Sequence, residues 1–429
     1  MNLTKRDREI IWHPYTQMKD SSVIGIVKGE EAYLFDEEGN KYIDAVSSWW
    51  VNTLGHSNKY IAEKISEQLY TLEHVIFAGF THPKAVEIAE RLLKHLPANQ
   101  KKIFFSDNGS TAIEVALKMA IQYWENKKIG KNKIIAFRDA YHGDTFGAMS
   151  VSGRGVFTQP FNRFLFDVEF IDTPVKLKEN DSFRQLEKAV VSGNIAAFIF
   201  EPLVLGAGGM IMYEPEILEK MISFCKANHV ITIADEVMTG FYRSGNFFAT
   251  DIIAEKPDIF CLSKGITGGV MAMGVTSCSQ EIFDAFLSDD KTKTLYHGHS
   301  YTANPIACTA ATASMDLYEE PSCYANIKRI EEKHKVFFEK IKNHSSILDI
   351  RQKGTIIALE LYADEDTSYL NSLRDKAYAF FLNKGIILRP LGNIIYVLPP
   401  YCISNDDLDY IYQSIEEFLN TQIKSGKRT

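Results

Sequence analysis

The sequence predicts an α/β protein with a large domain on a mainly parallel sheet, followed by a smaller α+β domain. Three observations carry this. Between residues 102 and 277, short apolar runs of strand length alternate with helical periodicity, the pattern of successive βαβ units. Runs such as 230–234 and 258–262 are short enough to be strands covered on both faces. Beyond residue 319 the order changes to strand-like runs grouped with helices, an α+β pattern. With 429 residues the chain is long enough for two or three domains. The expected division is an N-terminal segment, 1–55, contributing to the small domain, a large domain over 56–318 and the C-terminal small domain over 319–429.

Taken in order, Trp12-His13-Pro14-Tyr15 carries a proline and reads as extended. Strand-like runs at 31–36 and 41–44 flank Glu37-Glu38-Gly39-Asn40, a hairpin turn signal. Ser47-Ser48-Trp49-Trp50 follows, and on an extended chain its two indoles point to opposite faces, so that one can pack in the core while the other lines a cavity. Helical periodicity marks 58–72 and 83–96. A buried strand at 102–105 runs through Ser106-Asp107-Asn108-Gly109-Ser110-Thr111 into a helix at 112–124. The next strand, 133–137, ends in Arg138-Asp139-Ala140-Tyr141-His142-Gly143-Asp144. Residues 151–194 read as irregular. A strand at 196–200 ends in Glu201-Pro202, a glycine-rich loop covers 206–209, and 215–228 is helical. Strands at 230–234, 258–262 and 270–277 complete the alternation. The loop 297–305 carries small donors and Gly298, and helices follow at 306–318 and 326–343, the second charged along one face. Strand-like runs at 347–351, 355–361, 386–388 and 393–400 then accompany helices at 368–384 and 405–421.

Composition excludes several classes. Apolar residues make up 45% and charged residues 24%, as in ordinary soluble enzymes. The net charge of −8, with no basic stripe, argues against a nucleic-acid partner. No apolar run reaches the length of a signal peptide at the N-terminus or of a membrane span elsewhere. The six cysteines, at 225, 261, 278, 308, 323 and 402, are scattered without a C-x-x-C pair, so they read as reduced thiols and place the protein in the cytoplasm.

The chemistry centres on the stretch 230–264. Asp235 ends one apolar run, and Ser263-Lys264-Gly265 follows the next, so an acid and an amine stand at the ends of strands that can share a parallel sheet. Ligands of open α/β sheets bind at such ends. A lysine that can lose its proton forms Schiff bases, and an aspartate can keep a pyridinium nitrogen protonated, which turns the ring into an electron sink. The pair points to pyridoxal phosphate. The Gly109-Ser110-Thr111 turn entering a helix offers backbone N–H groups, a hydroxyl and the positive end of the dipole to a phosphate, although a plain N-cap would look the same. Tyr141, at a strand end, can stack on a flat cofactor. No metal site is expected.

The run Asp235-Glu236-Val237 with Thr239-Gly240-Phe241, Arg243-Ser244-Gly245 and, downstream, Ser263-Lys264-Gly265 resembles the signature of the class III (ω-type) aminotransferases. From Trp12 to Pro400 the chain resembles one branch of them, the diaminopelargonate aminotransferases of biotin synthesis. The branch-specific pieces are WHPYTQM at 12–18, SSWW at 47–50, YHGDTFGAMSV at 141–151 and RPLGNIIYVLPP at 389–400. This resemblance implies the fold type I of pyridoxal-phosphate-dependent transferases and a homodimer with active sites at the subunit interface. It implies that Lys264 is the Schiff-base lysine, that Asp235 pairs with the pyridine nitrogen, and that Tyr141 stacks on the ring with Val237 on the opposite face. Gly109 and Ser110 would hold the phosphate, with His299 and Ser300 reaching over from the other subunit. Tyr15, Trp49, Gly298 and Arg389 would line the pocket for 8-amino-7-oxononanoate, which the branch aminates to 7,8-diaminononanoate. Arg389 suits the far carboxylate because its planar fork bonds both oxygens at once.

Two departures bear on the amino donor. Members that use S-adenosylmethionine have Pro-Thr where this chain has His299-Ser300 and Phe where it has Leu391; lysine-using members look more like this chain. The expectation is S-adenosylmethionine, with lysine as the alternative. Another class III activity on ω-amino acids or diamines shares the Lys264 and Asp235 machinery, but the aromatic pieces at 12–18 and 47–50 argue against it. A silent protein that keeps the fold for binding or regulation would be expected to have lost Lys264.

Overall fold

The large sheet has seven strands: β1 (Gln100–Ser106), β2 (Lys133–Phe137), β3 (Val168–Ile171), β4 (Ile195–Phe200), β5 (Ile231–Asp235), β6 (Ile259–Leu262) and β7 (Gly274–Ser279). They come from a computed structural model that describes residues 3–20, 23–363 and 369–422. Their order across the sheet is β1-β7-β6-β5-β4-β2-β3. Only β7 runs antiparallel to its neighbours, β6 and β1, while β6, β5, β4, β2 and β3 pair in parallel. The sequence Ile-Ala-Ala-Phe-Ile-Phe of β4 is buried at all six positions, as a strand with helices on both faces must be. From Ala197 onward its side chains alternate between the two faces. Ala197 and Ile199 join the cluster beneath helix α1 (Gly109–Asn126), while Phe198 and Phe200 join the cluster of Leu218, Met221 and Ile222 on the opposite face.

A three-stranded antiparallel sheet follows, made of Ile347–Lys353, Ile356–Leu361 and Ile394–Val397. The N-terminal strands Ile26–Glu30, Tyr33–Asp36 and Lys41–Asp44 form another sheet, closed by Ile386–Ile387 from near the other end of the chain. Ile43 faces Ile386 in that pairing, so the first and last parts of the chain share backbone hydrogen bonds.

The structure departs from the sequence reading in several places. The segment 151–194 is not irregular: it holds β3 and a helix at Glu179–Val191. β3 is a four-residue edge strand with an exposed Glu169, and only Ser182, Phe183, Leu186 and Ala189 of the helix are buried, so neither gives a strong apolar period. Leu3–Ile10 is a helix with no buried residue. Ser47–Trp50 is a tight turn rather than extended chain, with Ser47, Ser48 and Trp50 all at positive φ. That costly backbone is held by Ser47 Oγ, which donates to Leu398 C=O at 2.8 Å, and by Asp44, whose Oδ2 accepts from Ser48 N–H at 2.7 Å. The strand read over 270–277 starts only at Gly274. The helix read over 368–384 spans Leu373–Asn383, and Ser368 lies outside the described residues.

Candidate active site

β5 and β6 lie side by side in parallel, with Asp235 opposite Cys261, so Asp235 and the Ser263-Lys264 pair emerge at the same edge of the sheet. There they line a cavity of about 390 Å³ together with Gly109, Ser110, Tyr141 and Val237. The amine of Lys264 stands 4.9 Å from the Trp50 ring. The backbone of Lys264 is in the left-handed region, φ 46°, a cost that a long side chain bears only where its direction matters. Burial pushes its pKa below the ordinary lysine value; Asp235 and Glu201 oppose this, and Arg243 adds to it. An amine in that setting is readily made a nucleophile and base.

Asp235 is buried, and its two oxygens accept from His142 Nδ1–H at 2.7 Å and Val237 N–H at 3.1 Å. His142 is held in turn, its backbone N–H donating to Ser152 Oγ at 2.8 Å. Its Nε2 is buried with no partner. Glu201, also buried, accepts from the backbone N–H groups of Tyr141 and Gly206, each at 2.9 Å. Burial, helped by Asp235, pushes its carboxyl up to about 7, while His142 and the two N–H donors pull the other way. Two acids and an imidazole thus share a buried corner beside the lysine.

The turn into α1 is set by a reciprocal cap. Asn108 accepts from Thr111 N–H at 2.9 Å, and Thr111 Oγ1 accepts from Asn108 N–H at 2.9 Å. The first bond of the helix is Ala112 N–H to Asn108 C=O, so the N–H groups of Gly109 and Ser110 have no partner within the helix. Gly109 has no room for a side chain, since a Cβ there would lie 2.7 Å from Val237 Cγ1. The arrangement suits the phosphate of the cofactor expected from the sequence.

At the mouth, the hydroxyls of Tyr15 and Tyr141 are 3.2 Å apart, and Tyr15 O–H also donates to Asp144. Burial first, then Asp144, pushes the Tyr15 phenol well above its ordinary pKa. Tyr15 meets Trp49 edge-on at 5.5 Å, and the Arg389 guanidinium lies 4.6 Å over the Trp49 ring. Arg389 Nη2 is buried with no partner. The two tryptophans do separate: Trp50 is buried beside the lysine, donating to Tyr396 Oη at 3.0 Å, and Trp49 is 40% exposed at the mouth.

Gly298, His299 and Ser300 are not brought into this cavity within one chain. Gly298 and Ser300 are exposed, and His299 lies against Asp107 of the same chain. Sequence reasoning missed His142, Glu201 and Asp144, and it gave no role to Trp50, whose ring lies 4.9 Å from the Lys264 amine. The signals were present but faint: His142 and Asp144 lie inside the run 141–151, and Glu201-Pro202 ends a strand.

The family model for Aminotransferase class-III matches residues 15–419. The adenosylmethionine-8-amino-7-oxononanoate aminotransferase of Synechococcus elongatus is 44% identical over 419 residues, covering 96% of this chain and 98% of the relative. A crystal structure of the aminotransferase of that name from Methanocaldococcus jannaschii matches with a TM-score of 0.91 at 37% identity, covering 97% of this chain and 98% of the other. An amine transaminase from an uncultivated Pseudomonas species, solved with PLP bound, matches with a TM-score of 0.89 at 30% identity, covering 96% and 98%.

Proposed function

The chain belongs to the class III aminotransferases, and from that premise we propose that it aminates 8-amino-7-oxononanoate to 7,8-diaminononanoate for biotin synthesis, with S-adenosylmethionine as donor. It is a pyridoxal-phosphate-dependent aminotransferase of fold type I. The observation that carries the substrate is Arg389, whose buried Nη2 lacks an acceptor beyond the aromatic mouth of the lysine cavity. An orphaned guanidinium donor there suits the carboxylate at the far end of a long keto acid.

Bound pyridoxal phosphate supplies an electron sink for the carbon that loses its proton. The Lys264 amine would hold the cofactor and, once free, would serve at Nζ as base toward the donor carbon and then as acid. Its lowered proton affinity favours the first of these tasks. Asp235, oriented by His142 and the Val237 N–H, would present a carboxylate to the ring nitrogen. Tyr141 and Val237, which line the same cavity, would flank the ring, and Gly109 and Ser110 would hold the phosphate. The active unit is a homodimer in which the loop 297–302 of a second copy completes the phosphate site. The cytoplasm suits a chain whose six cysteines are free and which has, among the described residues, no helix long and apolar enough to cross a membrane.

Lysine as donor is the second reading, favoured by Leu391, which offers no aromatic face to a sulfonium. The test is a half-reaction without keto acid: each donor is added alone and the visible absorbance of the bound cofactor is followed. S-adenosylmethionine is expected to discharge it; discharge by millimolar lysine alone would replace the donor, and discharge by neither would overturn both readings.

A further inference from the structure

Outside the cavity, four titratable side chains form a line from α1 through the loop after β7 to the turn before α1. Lys118 Nζ is 3.2 Å from His297 Nδ1 and 3.3 Å from the Tyr296 carbonyl. His297 Nε2 is 3.0 Å from His299 Nε2, and His299 Nδ1 is 3.6 Å from Asp107 Oδ2. Donor and acceptor chemistry admits one assignment of the protons. An ammonium only donates, so His297 Nδ1 accepts and its proton sits on Nε2. That N–H donates to His299 Nε2, which leaves the His299 proton on Nδ1, facing the Asp107 carboxylate. The backbone N–H of His299 is also used, donating to Thr302 Oγ1 at 2.9 Å. His299 thus meets its own chain through Nε2 and its backbone N–H, with Nδ1 facing Asp107 at ion-pair distance, whereas Ser300 beside it is exposed.

We propose that His299 is a positioning residue and not a phosphate ligand: the line Lys118–His297–His299–Asp107 holds the loop so that Ser300 supplies the donors to the cofactor phosphate of a second copy. The proposal rests on the shared phosphate site put forward above. The same line ties that loop to the turn ahead of Gly109 and Ser110, so one set of contacts shapes both halves of the phosphate site. The charged groups facing the two imidazoles are Lys118 and Glu114 on α1 and Asp107 on the turn. Burial first, then Lys118, keeps the His297 pKa below the ordinary histidine value, so this ring stays neutral as the assignment requires. The Phe104 ring packs edge-on against His297 at 6.1 Å.

The test titrates pyridoxal phosphate into the cofactor-stripped full chain, read by absorbance, for wild type, His297→Phe, His299→Phe, the double variant and Ser300→Ala. Phenylalanine keeps the ring packing and removes the nitrogens. Each single change is expected to weaken the cofactor about tenfold, and the double variant by about the same factor, because breaking either link opens the whole line. A His297→Phe dimer that binds within about twofold of wild type, while His299→Phe does not, would make His299 the ligand and overturn the assignment. Long-range proton–nitrogen spectra of the wild-type histidines need no variant. Protons on His297 Nε2 and His299 Nδ1 are expected, and the opposite tautomers would also overturn it. Sedimentation of the same samples separates the two readings: a wild-type monomer with undiminished cofactor affinity would sink the shared site itself.

Discussion

A buried guanidinium nitrogen without an acceptor costs roughly 1–3 kcal/mol, and Arg389 is held in that state with Trp49 4.6 Å beneath it. Substrate binding removes the cost if a carboxylate arrives there. Arg389→Ala is therefore expected to raise KM for 8-amino-7-oxononanoate by about 10- to 100-fold, the range of a charge-assisted hydrogen bond, with the donor half-reaction unchanged. Arg389→Lys is expected to recover only part of the loss, because an ammonium lacks the fork. Steady-state kinetics at saturating donor check both, and an unchanged KM in the alanine variant would remove Arg389 from the site. At this scale the sequence was most legible where a polar residue ends an apolar run, as Asp235 does and Lys264 nearly does. His142 and Asp235 touch across 93 positions of sequence, a contact that no local pattern encodes.

Three elements meet at His334, on the helix Pro321–Ile341. Its Nδ1 is 2.7 Å from the Tyr412 hydroxyl on the last helix, Asn405–Thr421, and its Nε2 is 3.1 Å from the Thr355 carbonyl ahead of the strand Ile356–Leu361. The carbonyl can only accept, so Nε2 carries the proton and Nδ1 accepts from the phenol: a neutral ring satisfies both neighbours. Burial pushes its pKa down to about 4. An unfolded chain would take up a proton near 6.5, so this contribution is fully present above pH 6.5 and is lost as pH falls from there toward 4, in all roughly 3 kcal/mol. His334→Gln is expected to flatten the fall of Tm between pH 6.5 and 4; an identical slope in the variant would contradict the assignment. Elements were legible in proportion to their apolar period. β4 and β5, buried along their whole length, could be found, whereas the helix Glu179–Val191 buries four of its thirteen residues and could not.

At the scale of the whole molecule, the loop 297–302 stands outside the cavity of its own chain, and this is what the shared-site reading requires. Mixing Lys264→Ala chains with Ser300→Glu chains should restore activity, because one site of the heterodimer then combines an intact Lys264 with an intact Ser300. No recovery despite proven subunit exchange would count against shared sites. Mass spectrometry of the product is the decisive measurement of the reaction. Wild-type protein incubated with pyridoxal phosphate, S-adenosylmethionine and 8-amino-7-oxononanoate is expected to form 7,8-diaminononanoate, and Lys264→Ala with cofactor bound is expected to form it at least about 10²-fold more slowly. Product formation by Lys264→Ala at the wild-type rate would contradict the account, as would wild-type turnover of ω-amino acids or diamines with no diaminononanoate formed.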